Sequence, residues 1–276
     1  MLAFNAAGSS PYSDEACAVA RPSSSSDLLA AVLPSSRSVQ VGIVATAFAT
    51  IINRGHSLAT ACTITPLNGL AANFHYQTTN PNANQITGTA DTPVDIASGG
   101  FQSFVIAFIP TRALVPTDLQ FSFDCTNTDP APINTGLNTL LLSASATPVP
   151  DIVALVVTPT NDGIVNILAT HGTGAFAVAT VNLGASGNIT VSADTGSATL
   201  PVNIFLCQTN PGTGQCNSAI GPSVTTQINA NATPTFGIFV QGGPVPFDPA
   251  ANRIFVRFKD GGNVTRGSTS VAVRTQ

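Results

Sequence analysis

The sequence predicts an all-β fold built as two tandem β-sandwiches. Three observations lead there. Short apolar runs recur along most of the chain, separated by turn residues, with 23 Gly and 20 Pro among 276 residues. Several of these runs alternate with period two, which places one face of a strand inward. No segment carries a convincing 3.6-residue stripe over ten or more residues, so helices are not expected.

The elements follow in order. In the first half, strands are predicted at Val44–Ile52, Ala61–Pro66, Asn73–Gln77, Ser103–Ile109, Leu119–Cys125 and Thr139–Ser145. Phe104, Ile106 and Phe108 share one face of their strand. Leu119, Phe121, Phe123 and Cys125 share a face of theirs, with Gln120, Ser122 and Asp124 opposite. In the second half, strands are predicted at Ile152–Thr158, Ala175–Val181, Asn188–Ala193, Val202–Cys207, Ser223–Ala230, Thr235–Val240, Arg253–Lys259 and Thr269–Arg274. The last two are joined by Asp260-Gly261-Gly262, a good hairpin turn. A Pro/Ser stretch, RPSSSSD, reads as a flexible linker at 21–31, and TPVPD marks a stiffer connector near 147. The expected layout is an N-terminal remnant (1–20), the linker, one sandwich at 32–147 and another at 148–276.

A weak internal repeat supports two copies of one fold. Phe48 to Gly55 reads FATIINRG and Phe176 to Gly184 reads FAVATVNLG. Each is an apolar strand closed by Asn-x-Gly that leads into another β run. In the first copy the stretch 94–110 follows, a polar-Gly turn and then Phe104-x-Ile106-x-Phe108-x-Pro110. It resembles strands of Ig-like (fibronectin III-like) domains of bacterial surface and exported proteins, over about 38–145 and less clearly 150–276. That resemblance implies binding or spacer modules and carries over no catalytic residue. Near the N-terminus, AFNAAGSSPYS resembles the final strand pair of a fibronectin type III domain, through Asn5, Gly8, Ser10 and Ser13. The expectation is that Met1 is not the natural start and that the chain belongs to a larger exported protein.

Composition narrows the function classes. Charged residues make up 8%, with a net charge of −4 and a single lysine, Lys259, which argues against nucleic acid as a partner. No run of about 20 apolar residues suggests a spanning helix. With no Trp and two Tyr, a flat aromatic platform for sugars is not expected.

Of the five cysteines, Cys62 with Cys125 and Cys207 with Cys216 are disulfide candidates, and Cys17 is left unpaired. No CxxC pair exists, so zinc is not favoured, and no metal or cofactor is expected. Disulfides imply an extracellular, cell-surface or periplasmic setting.

Four segments carry motifs with catalytic or metal-binding chemistry. Asp194-Thr195-Gly196 follows an apolar strand, as in aspartic proteases. Those enzymes need two such triplets, because two carboxylates share a proton. A single triplet would require a homodimer. His171-Gly172-Thr173-Gly174 is similar to an oxyanion-hole loop but has no nucleophile elbow with it. Asn161-Asp162-Gly163 and Phe247-Asp248-Pro249 are acidic turns open to calcium, although without the ligand count calcium needs. The expected function is a non-enzymatic structural, adhesion or spacer pair, monomeric within a longer chain, facing a protein or glycan surface ligand. The alternative is an accessory glycan- or peptide-binding module of a secreted hydrolase.

Overall fold

The computed structural model describes residues 26–276, apart from 68, 70 and 170, together with the backbone of 4–5 and 8–9. Every regular element among the described residues is a β-strand. Two of them, β1 (Phe4–Asn5) and β2 (Gly8–Ser9), form a short antiparallel pair with Phe4 opposite Ser9. Cys17 and residues 21–25 of the expected linker lie outside the described residues.

The first sandwich contains ten strands. They are β3 (Leu28–Leu33), β4 (Ser36–Gln40), β5 (Ala45–Asn53), β6 (Ala59–Pro66), β7 (Ala72–Thr79), β8 (Val94–Ile96), β9 (Phe101–Pro110), β10 (Leu114–Leu119), β11 (Phe121–Asp124) and β12 (Leu140–Ser145). One sheet has the order β3-β5-β9-β7. Facing it are β4-β12-β10 and β11-β6-β8, which run on from each other because only Gln120 separates β10 from β11. The second sandwich contains β13 (Ile152–Val157), β14 (Ile164–Ile167), β15 (Thr173–Asn182), β16 (Gly187–Asp194), β17 (Val202–Thr209), β18 (Ser223–Ile228), β19 (Thr235–Gly242), β20 (Arg253–Lys259) and β21 (Thr265–Thr275). Its sheets are β13-β15-β19-β17 and β14-β21-β20-β16-β18.

The two sandwiches share one immunoglobulin-like path. In each, the chain leaves the central strand β6 or β16 for the edge of the four-stranded sheet (β7 or β17). It then returns to the other sheet (β8 or β18) before the next core strand (β9 or β19). In each, the first sheet-switching strand pairs in parallel with the last strand, β4 with β12 and β14 with β21. Separate apolar clusters fill the two interiors. Phe104, Phe108, Phe121 and Phe123 dominate the first, and Phe236, Phe258, Ile238 and Ile254 the second.

The repeated Asn-x-Gly occupies one structural position twice. Asn53 ends β5 fully buried, and its amide donates to the carbonyls of Ser57, Ile96 and Ala97. Asn182 ends β15 and donates to Ala185, Ile228 and Asn229. In both, the side-chain oxygen accepts the amide of the following Gly. One buried side chain thus ties a turn to the end of the strand that returns to the opposite sheet.

A second repeat escaped the sequence reading. Asn80-Pro-Asn-Ala-Asn84-Gln85 and Asn210-Pro-Gly-Thr-Gly214-Gln215 form the same loop after β7 and β17. Asn80 N–H donates to Gln85 O and Asn210 N–H to Gln215 O, both closing at the fifth residue. The left-handed position is Asn84 in one copy (φ 53°) and Gly214 in the other (φ 72°), the two residue types that tolerate it best.

Three differences from the expected elements have physical causes. The first sandwich begins at Leu28, inside the stretch expected as linker, because Leu28, Ala30 and Val32 alternate into the core. Strand β4 (SRSVQ) gives little hydrophobic signal, since its buried side chains are mainly polar. The Pro-rich connector does not stand free: Val149 O and Asp151 O accept the amides of Ala185 and Leu183.

Candidate functional site

The richest polar arrangement lies where the sandwiches meet. Strand β4 of the first faces β13 and β21 of the second. Arg37 directs Nε and Nη2 onto Asp151 Oδ2 at 3.0 and 2.8 Å, and Nη1 onto Thr46 O at 2.6 Å. The Ser38 amide donates to the other Asp151 oxygen at 2.8 Å. Both charged side chains are almost out of solvent, 10% and 5% exposed, so each depends on the other for its solvation. Beside them, Ser36 Oγ donates to Ser268 O and accepts from Ser268 N, and Ser35 Oγ also donates to Ser268 O. Arg266 Nη1 reaches Ser38 Oγ and Ser145 Oγ, while its Nε is held by Asp260 at 2.6 Å.

At the far side of the seam the loop before β12 meets β20. Ser270 Oγ donates to Gly136 O at 2.7 Å, and the Phe255 ring packs between Gly136 and Gly196. A cleft of about 800 Å³ opens there, lined by Asn134 and Thr135 from the first sandwich and Asp194, Arg253, Phe255 and Arg257 from the second. Arg253 is held by Ser270 and Pro249 O, and burial draws its guanidinium down to about 10. Burial also pushes the Asp118 carboxyl above its ordinary value, against hydrogen bonds from Thr139 and Thr135 and the Arg257 charge across the seam.

Asp194 sits in this cleft as the counter-ion of Arg257. Arg257 Nε lies 2.5 Å from Oδ2 and Nη2 3.1 Å from Oδ1, and the Gly196 amide donates to Oδ1 at 2.8 Å. Burial pushes this carboxyl up, but those bonds, with the Arg257 and Lys259 charges, hold it below the ordinary range on balance. An aspartic dyad needs a second carboxyl in place of that guanidinium, so the contacts suit a structural turn. Likewise Thr173 and Gly174 open β15, whose backbone pairs with β19 through Gln241 and Val240.

The acidic turns spend their carboxylates locally. Asp162 Oδ1 accepts from Thr158, Thr160 and the Ile164 amide, and Asp248 Oδ1 from the Ala250 and Ala251 amides. Among the described residues no group of three or more His, Cys, Asp or Glu could hold a metal ion.

Cys62 and Cys125 are joined by a disulfide, as are Cys207 and Cys216. The first links β6 to the residue after β11 within the core. The second closes the Asn210–Gln215 loop, where Cys216 stands at the position of Ile86 in the other copy. Sequence reasoning had singled out neither Arg37, Asp151, Asp118, Arg257 nor Arg266. Their one available signal was rarity, in a chain with so few charges.

No family model matches the chain, and no curated protein matches it. Solved structures similar to it include the major pilin subunit BcpA of Bacillus cereus, at 10% identity over 90% of this chain and 70% of that one, TM-score 0.29. The collagen adhesin of S. aureus follows at 9% identity over 91% and 94%, TM-score 0.25. The secreted serine protease VesC of Vibrio cholerae is similar at 10% identity over 87% and 50%, TM-score 0.22. At such scores the likenesses carry no argument about function, and the fold stands on the strand pairing itself.

Proposed function

We propose that the chain is a non-enzymatic pair of extracellular sandwich modules that spaces, or presents for adhesion, the neighbouring parts of a larger exported bacterial protein. The observation that carries this reading is the seam. A buried Arg37–Asp151 pair and the Ser36–Ser268 exchange fix the two modules against each other, as a strut requires and independent beads do not. Two disulfides fit an oxidising compartment. The β1–β2 pair fits the final hairpin of a fibronectin type III domain.

Two measurements test the reading. Small-angle scattering of the intact chain should give a single narrow distribution of end-to-end extents, and a broad, two-bead distribution overturns the strut. Thiol labelling of the oxidised, denatured protein should mark at most Cys17, whereas labelling of four or five cysteines removes the support for export.

The cleft at Asp194 favours a second reading, an accessory module that binds glycan or peptide for a secreted hydrolase. Titration of the chain against oligosaccharides and peptides, with Arg257→Met as the control, decides that reading: saturable affinity lost in the variant supports it, and no affinity dismisses it.

A further inference from the structure

Three arginines are buried among the described residues: Arg37, Arg253 and Arg266. Two of them have a carboxylate, Asp151 on Arg37 and Asp260 on Arg266. Arg253 is 6% exposed, and among the described residues no carboxylate lies within ion-pair distance of it. Its hydrogen bonds end on neutral oxygens. Nε donates to Ser270 Oγ at 3.0 Å, Nη2 to Ser270 O at 3.3 Å and Nη1 to Pro249 O at 2.8 Å. A guanidinium has five N–H groups, so one on each terminal nitrogen is left over by these contacts. Burial draws the group down to about 10, and it therefore keeps its charge at neutral pH. The acids nearby are engaged elsewhere. Asp194 is bound by Arg257 and the Gly196 amide, Asp248 Oδ1 by the Ala250 and Ala251 amides, and Asp118 by Thr139 and Thr135. A buried charge without a counter-ion is costly, and beside a cleft it marks a position where a ligand can supply the missing charge. Arg253 lines the cleft of about 800 Å³ that also holds Asp194 and Arg257.

From this we infer that the cleft binds a peptide through a carboxylate, which becomes the counter-ion of Arg253. The inference deepens the second reading above and rests on it. Charge-assisted hydrogen bonds from a guanidinium to a carboxylate are roughly twice as strong as neutral ones, so the contact supplies both affinity and selectivity. A peptide is favoured over a glycan by the state of the ring. Sugars stack a C–H face on an open aromatic face. Phe255, the aromatic side chain lining the cleft, is buried, with the Arg257 guanidinium 5.1 Å over its ring and Gly136 and Gly196 packed against it. No ring face is left for a sugar. The cleft walls instead carry Ser197 and Asn134, whose hydroxyl and amide suit the N–H and C=O groups of a peptide backbone.

Titration calorimetry of the disulfide-intact chain with three N-acetylated peptides tests the inference. Ac-Ala-Ala-Glu-Ala-Ala-NH2 carries a side-chain carboxylate, Ac-Ala-Ala-Gln-Ala-Ala-OH a terminal one, and Ac-Ala-Ala-Gln-Ala-Ala-NH2 neither. At least one charged peptide should bind about 10-fold more tightly than the neutral one. Whichever does so identifies the carboxylate used. Arg253→Met should abolish the preference. The preference is read on the wild type by changing the peptide alone, so misfolding of that variant does not decide the matter. A neutral peptide that binds as tightly as both charged ones overturns the inference and leaves the binding-module reading standing. So does a preference that persists in a folded Arg253→Met chain. Saturable binding of tri-galacturonate with none of the peptides also overturns it, and makes the cleft a glycan site. No binding of any of these probes up to about 10 mM overturns the inference and the second reading together.

Discussion

The Phe255 ring lies so close over Gly136 that a β-carbon on that glycine would come 2.5 Å from Cε1. One residue belongs to each sandwich, so the ring forms an apolar contact between modules with no counterpart in either core. Gly136 also holds φ +75°, which an L side chain adopts only with strain. Gly136→Ala should therefore loosen the seam and leave both cores intact. Calorimetry should show a single transition splitting into two, with a loss of about 2 kcal/mol on the module that melts first. An unchanged melting profile would show that the modules do not couple through this contact.

Removing one member of the Arg37–Asp151 pair leaves the other buried without a counter-charge. Asp151→Ala and Arg37→Met should each cost about 3 kcal/mol in urea unfolding, and the double variant distinctly less than their sum. Additive losses would mean that the pair makes no direct contribution.

Asn182→Ala frees three carbonyls, and also the amides of Asp151 and Gly184, which its side-chain oxygen accepts. The expected cost is about 3 kcal/mol. Amide exchange should accelerate at residues 228–229 and in the connector near Asp151. Asn53→Ala should act on the first sandwich alone, at residues 96–97. Exchange spreading evenly over both modules would contradict this assignment.

Two carboxylates that feel the Arg257 charge give opposite pH responses. Burial raises Asp118, so the folded chain binds that proton more tightly than the unfolded one. The stabilisation is complete below about pH 4 and is lost as pH rises through the raised value. Asp118→Asn should raise Tm at pH 7 and leave it unchanged at pH 3. For Asp194, burial opposes ionisation, but the Arg257 and Gly196 bonds prevail and lower it. Its stabilisation is present above about pH 4 and is lost as pH falls through the lowered value. Asp194→Asn should therefore lower Tm at pH 7 and converge with the wild type in acid. Parallel pH profiles for the two variants would refute this pairing of signs.

Loss of the Cys62–Cys125 bridge, 63 residues apart, should cost about 4 kcal/mol, and loss of Cys207–Cys216, nine apart, about 3 kcal/mol, on chain-entropy grounds. Equilibrium unfolding of the two double-alanine variants checks the order, and a reversal would place the larger effect in the loop rather than in the core.

Core strands were legible because their side chains obey one rule. Phe104, Ile106 and Phe108 alternate inward as expected, and so do Phe121 and Phe123. The seam was hidden because its rule is different. Ser36, Arg37 and Ser38 are buried by satisfied hydrogen bonds to a distant segment, and no local period marks such residues. Leu28 to Leu33 failed for the opposite reason. LLAAVL is apolar on both faces, so its alternation vanishes, and that same two-sided character is what leaves Leu33 exposed on the outer sheet. Asp194 was visible as a triplet, but the guanidinium that defines its role comes from Arg257, 63 residues further on.

The covalent link between Cys62 and Cys125 also sets how far the chain can be drawn out. Pulled from its ends with the bridge intact, the first sandwich can pay out only the segments before Cys62 and after Cys125, because the loop between them carries no tension. The second sandwich has a lock spanning only nine residues and would release nearly its whole contour length. Under load the chain is asymmetric: an extensible half joined to a half that stays short until it is reduced.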